Sequence, residues 1–102
     1  MSTVQVDLPQ ESVASLCRKY GVRELTIFGS ALREDFGPDS DVDFLAVFEN
    51  DDYGPWMSKL TALEEDLSAL LGRKVDLVPK KLLKRVIRDQ VLREAKVVYA
   101  AA

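Results

Sequence analysis

The sequence predicts an α/β or α+β domain, and three observations predict it. Apolar residues at helical spacing alternate along the chain with short runs rich in β-branched residues, the connections between them are brief, and glycine or proline stands at most boundaries. With 102 residues, the chain is expected to form one domain over residues 1–102, since two cores would leave each half too small. A domain of this size buries roughly 65% of its unfolded surface. That supports a core without disulfides or a structural metal.

Val13, Leu16, Cys17 and Tyr20 fall at i, i+3, i+4 and i+7, the stripe of a helix over about residues 9–20. Pro9 suits its first turn and Gly21 its C-terminal cap. RELTIF, residues 23–28, reads as a strand ending at Gly29. Residues 30–36 make a short helix or turn, and residues 37–40 (GPDS) a loop. DVDFLAVF, residues 41–48, is a second strand, followed by an acidic surface loop over residues 49–54. Pro55 opens a long helix whose stripe is Trp56, Leu60, Leu63, Leu67, Leu70 and Leu71, closed by Gly72. KVDLV, residues 74–78, is a third strand. Residues 80–94 are expected to form one basic amphipathic helix with Leu82, Leu83, Val86, Ile87 and Val91 inward. KVVYA, residues 96–100, suits a short edge strand.

Composition narrows the chemistry. There is no histidine, which excludes Ser-His-Asp and Cys-His catalysis and argues against a zinc site. Any reaction has to run on carboxylates, hydroxyls, backbone amides and cations. Cys17, the only cysteine, lies on the first helix's apolar stripe and reads as a buried structural thiol. The start lacks a basic region followed by a long apolar run, and no stretch approaches the ~20 apolar residues of a membrane span. The expected location is therefore cytoplasmic, with no membrane partner. The net charge of −3 is the sum of two unlike parts. Residues 1–72 hold fourteen acids against five bases, a net of −9, and residues 73–102 three acids against nine bases, a net of +6. A domain acidic overall is a poor binder of nucleic acid, and no direct nucleic-acid binding is expected. The basic end suits phosphates or an acidic partner.

Side chains alternate along a strand, so Asp41, Asp43, Leu45 and Val47 share one face and Val42, Phe44, Ala46 and Phe48 the other. The two aspartates then project together, with α-carbons about 6.6 Å apart. At ~4 Å, two carboxylates repel by about 4 kcal/mol at an effective dielectric of 20, so a compensating cation is called for. Magnesium, which prefers oxygen ligands and substrate phosphates, is the natural one. A solvent-facing Asp43 beside an Asp41 that merely opens the strand is the plainer alternative. Upstream, Gly29-Ser30 closes the first strand. A glycine there lets a phosphate approach the backbone, and a serine with the following amides can donate to it, although the same pair also makes an ordinary strand-to-helix turn.

Gly29-Ser30, ten residues, then Asp41-Val42-Asp43 resembles the signature of the DNA polymerase beta-like nucleotidyltransferase superfamily. GSALREDFGPDSDVDFLAVF is similar to its minimal nucleotidyltransferase (MNT) branch, the antitoxin half of HEPN/MNT toxin–antitoxin pairs. The likeness covers nearly the whole chain, including Arg33 in the turn, Ser40 before the acids and the ending VLREAKVVY. It implies the nucleotidyltransferase fold, a small mixed sheet flanked by helices. It implies a third carboxylate on a later strand, a position Asp76 fits, so that Asp41, Asp43 and Asp76 would hold Mg2+ and carry catalysis, with Asp76 helping to deprotonate the incoming hydroxyl. Pairing of Asp76 with Arg73 or Lys74 is the alternative. Gly29, Ser30, Arg33 and Ser40 would line the nucleoside triphosphate, with ATP as donor. The chemistry would be in-line attack on the α-phosphorus with pyrophosphate leaving. The implied partner is a HEPN-family toxin, adenylylated on a tyrosine. A noncatalytic antitoxin acting by occlusion and transfer to a small molecule are the rivals. One departure is Glu34-Asp35, where many members carry a glycine directly after the arginine. The basic residues Lys80, Lys81, Lys84, Arg85 and Arg88 are open to three readings: a solvated face, a triphosphate contact or a partner contact.

Overall fold

A computed structural model describes residues 8–32, 37, 40–83 and 85–101. Helix α1 (Gln10–Tyr20) is followed by strand β1 (Val22–Phe28), a 3₁₀ turn (Gly29–Leu32) and strand β2 (Val42–Phe48). After 3₁₀ turns at Glu49–Asp51 and Pro55–Met57 come helix α2 (Ser58–Leu71) and strand β3 (Val75–Pro79). A further 3₁₀ turn (Lys80–Leu82), helix α3 (Arg85–Glu94) and strand β4 (Lys96–Ala100) complete the order. The strands form one mixed four-stranded sheet in the order β3-β2-β1-β4. β1 pairs antiparallel with both β2 and β4, while β2 and β3 run parallel. The expected mixed sheet flanked by helices is present, with β4 as its edge.

Alternation along β2 divides the molecule into two layers. Val42, Phe44, Ala46 and Phe48 are buried among Leu25, Ile27, Val75 and Leu77, under the inward sides of α1 (Val13, Cys17) and α2 (Leu63, Leu67). Cys17 is fully buried, and burial pushes its thiol up to about 12, as a structural role demands. α1 ends where Gly21 takes up a left-handed conformation at φ 70°, which L side chains adopt only at a cost. On the opposite face α3 lies against β1 and the Gly29–Leu32 turn. Thr26 and Leu45 are buried on this second face, leaving the acidic residues at its rim.

Two expectations about the helices fail for local reasons. Trp56 does not join the α2 stripe; it is 99% exposed. The helix begins only at Ser58, because Trp56 and Met57 adopt left-handed backbone at φ 54° and 58° and break the phase of the repeat. Residues 80–94 are not one helix either. Lys80 and Lys81, neighbours in sequence, reach different partners: Glu24 on β1 at 3.4 Å and Asp51 in the acidic loop at 3.6 Å. The chain instead makes a short turn, extends at Leu83 (φ −66°, ψ 129°) and starts α3 at Arg85, which leaves Leu82 exposed.

Candidate active site

The predicted carboxylates meet at one end of the sheet, where β1 ends and β2 and β3 begin. Asp43 is in register with Asp76 across the parallel β2–β3 pair and with Phe28 across the antiparallel β1–β2 pair. Paired residues share a face and adjacent strands lie about 4.8 Å apart, so Asp43 and Asp76 stand side by side. Asp41 immediately precedes β2, and Val42, with its side chain in the core, sends the acids on either side of it to the other face. Burial, then the negative charges of Asp76 and Asp41, hold the Asp43 carboxyl above its ordinary range.

Register on β3 is held by side chains of α2. β3 is an edge strand, so alternate amides face away from β2. Val75 N–H donates to Ser68 Oγ at 3.1 Å and Leu77 N–H to Glu64 Oε2 at 2.9 Å. These two bonds bracket Asp76. Nothing in the amino-acid pattern marked Ser68 or Glu64; both read as ordinary polar positions on α2.

Gly29 opens the turn after β1 at φ +75°. A Cβ built on it would stand 2.5 Å from Asp43 Oδ2. A side chain at this position would therefore displace the Asp43 carboxylate, a constraint the sequence reading did not contain. Ser30 lies in the same turn, whose buried Leu32 anchors it to the core; the Ser30 side chain, together with Arg33, Glu34 and Asp35, lies outside the described residues. Ser40 has a local role. Its hydroxyl accepts from Gly37 N–H at 3.1 Å, and its own N–H donates to Gly37 O at 3.1 Å. Arg73 Nη1 donates to the same carbonyl at 2.7 Å, tying this loop to the start of β3.

The alternative pairing of Lys74 takes a different form from the one expected. Lys74 Nζ lies 3.9 Å from Asp41 Oδ2. Among the described residues no three acidic or thiol side chains converge tightly enough to hold a metal as they stand. In kind, Asp41, Asp43 and Asp76 are the hard oxygen donors magnesium takes, and the repulsion on Asp43 is what a cation would relieve. The donor set fits, provided Asp41 turns from Lys74 toward its neighbours. A solvated ion pair of this length contributes little.

Comparison with known proteins bears on the family and the fold. The profile of the nucleotidyltransferase domain matches residues 10–98, nearly the whole chain and all of the sheet but its last two residues. The chain belongs to this family. Protein adenylyltransferase MntA from Thermococcus cleftensis is 50% identical over 84 residues, covering 82% of this chain and 80% of that protein. A solved structure described as a minimal nucleotidyltransferase is 38% identical with a TM-score of 0.69, covering 85% of this chain and 86% of that one. Two more distant structures share the fold. One is a toxin–antitoxin crystal structure with AMP-PNP, at a TM-score of 0.72 and 22% identity over 92% of this chain and 75% of that one. The other, at a TM-score of 0.57 and 22% identity over 90% of this chain and 70% of that one, is a tri-AMPylated Shewanella oneidensis HEPN toxin in complex with an MNT antitoxin. This nucleotidyltransferase is thus an enzyme with protein adenylyltransferases among its homologues.

Proposed function

We propose that this nucleotidyltransferase moves AMP from ATP to a hydroxyl, a tyrosine of a HEPN-family toxin, and thereby serves as the toxin's antitoxin. The observation that carries the reading is the in-register pair Asp43 and Asp76, with Gly29 closing on the Asp43 carboxylate. Relatives that bind an ATP analogue in a toxin–antitoxin complex, or whose toxin carries AMP, support the donor and the partner.

Asp41, Asp43 and Asp76 would hold magnesium, which when bound neutralises phosphate charge and polarises the phosphoryl oxygens. Gly29 leaves the backbone of its turn open to the triphosphate, and Ser30 and Arg33 are placed by sequence to contact it. Ser40 Oγ accepts from Gly37 N–H, which shapes the loop before β2 and leaves its O–H as a donor to the triphosphate. The acceptor hydroxyl attacks the α-phosphorus in line. Its O–P bond forms as the bond to pyrophosphate breaks, and its proton passes toward Asp76. Positioning supplies much of the acceleration, because both reactants are held before reaction. An AMP on the toxin would place a bulky anion where RNA phosphates must bind.

Co-expression with the toxin followed by mass spectrometry of the toxin tests this reading. The wild-type chain should add AMP masses to a tyrosine, and Asp76→Asn should abolish the addition while still co-purifying with the toxin. A toxin fully neutralised without added nucleotide mass would replace the reading with inhibition by occlusion.

A further inference from the structure

A second charged site lies at the other end of β2 and β3, at the rim of the sheet, where Ala46 of the core face and Val47 of the carboxylate face both border it. Val47 is four residues along β2 from Asp43, and Lys80 four residues beyond Asp76, so the two ends stand about 13 Å apart. There Val47, Asp51, Tyr53, Lys80, Lys81 and Arg88 surround a hollow of about 140 Å³. Three cations face it, against the carboxylates of Asp51 and of Glu24, the partner of Lys80. This is a local positive excess in a chain of net charge −3. Neither ion pair is tight: Lys80 is 3.4 Å from Glu24, and Lys81, 3.6 Å from Asp51, is half-exposed. Such pairs exchange readily for a stronger anionic partner. The Lys81 ammonium lies over the Tyr53 ring at 5.3 Å, and that ring packs edge-on against Phe48, which fixes one wall. Arg88 lies about one turn into α3, and its side chain is exposed. Between the two ends α3 covers the β1 side, burying Thr26 and Leu45, while Val78 on β3 stays half-exposed and leaves a strip from Asp76 to Lys80.

We infer that this hollow is a phosphate-binding subsite, distinct from the triphosphate end, that holds the phosphate of a nucleotide on the acceptor side of the reaction. The inference rests on the nucleotidyl-transfer reading above. The guanidinium of Arg88 and the two ammonium groups supply directed donors of the kind phosphate oxygens take. The phosphate is either the monoester of a free mononucleotide or the diester of one already attached to an acceptor.

Amide NMR titration in magnesium-free buffer tests it, with 5′-AMP as the monoester probe and the dinucleoside phosphate ApA as the diester. Both wild type and Asp43→Asn should show shifts at Asp51, Tyr53, Lys80 and Lys81. The Lys81→Ala/Arg88→Ala variant, changed only at surface positions and checked for fold by its remaining amide spectrum, should lose at least about tenfold in affinity. Tighter ApA than AMP identifies an attached nucleotide as the source, and the reverse a free one. Shifts confined to residues 29–32, wild-type affinity in the double variant, or no binding at millimolar probe would overturn the subsite. Loss of toxin modification in Asp76→Asn is scored separately, so failure of the subsite and failure of the transferase reading remain distinguishable. Single Lys81→Glu gives a second check: reversing one charge should weaken both probes more at low salt than at high salt.

Discussion

Gly29 and Asp43 act as a unit. The glycine's positive φ and the 2.5 Å that would separate a Cβ from Asp43 Oδ2 impose two constraints on one position. Gly29→Ala should therefore destabilise by about 1–2 kcal/mol from backbone conformation alone and displace the carboxylate as well. Thermal unfolding and steady-state transfer measured on the same preparation will read both, and an active variant of wild-type stability would show that the turn relaxes freely. Asp43 makes a prediction with a definite sign. Its folded-state pKa is raised, so its ionisation opposes folding; this cost is absent below the unfolded value of about 3.9, grows as pH rises above it and is fully present once pH exceeds the folded value. Asp43→Asn should therefore be more stable than wild type at neutral pH without metal and converge with it as pH falls toward 3.9. Urea denaturation across that range checks it; a variant less stable than wild type at pH 7 would refute a cost of ionising Asp43 from burial and from its acidic neighbours.

At the scale of elements, the third carboxylate depends on how α2 holds β3. Ser68 and Glu64 accept from the outward amides of Val75 and Leu77, on either side of Asp76. Ser68→Ala and Glu64→Ala should each destabilise by about 0.5–1.5 kcal/mol, the net worth of a hydrogen bond, and loosen the β2–β3 register. We expect transfer to fall further than global stability accounts for, with faster amide exchange on β3 than on β1. Unchanged β3 exchange in both variants would return these residues to ordinary surface positions. The break between the Lys80–Leu82 turn and α3 belongs to this scale too. The chain extends at Leu83 before α3 begins at Arg85, so the apolar periodicity of residues 80–94 does not become a single helix.

For the whole molecule, charge is distributed along the sheet. Carboxylates collect where β2 and β3 start, and cations gather beyond their far ends. Magnesium with a nonhydrolysable ATP analogue should stabilise the wild type by about 2.7 kcal/mol at one hundred times the dissociation constant, which for a domain this small shifts Tm by many degrees. Asp41→Asn/Asp43→Asn should lose the magnesium-dependent part of that shift. Differential scanning calorimetry with and without the ion decides this, and an equal shift in the double variant would move the metal elsewhere. No described helix is long and apolar enough to cross a membrane.

Read by itself, the sequence determined the order of the strands and helices, the side of β2 that enters the core, and the candidate acids Asp41, Asp43 and Asp76. Each of these follows from local periodicity or from a motif at fixed spacing, which a linear chain carries explicitly. Gly29 was legible as a turn glycine, but its contact with Asp43 was not, because the two residues meet only when β1 and β2 pair. The roles of Lys74 beside Asp41, Arg73 on Gly37 and Ser68 and Glu64 on β3 were hidden for the same reason. Trp56 and the interrupted basic helix were misread because helical spacing records which residues can share a face, while the backbone conformation at Trp56, Met57 and Leu83 decides whether they do. Tertiary structure alone decided that Asp43 and Asp76 stand in register, since parallel pairing of β2 with β3 depends on α2 packing between them in sequence and across them in space.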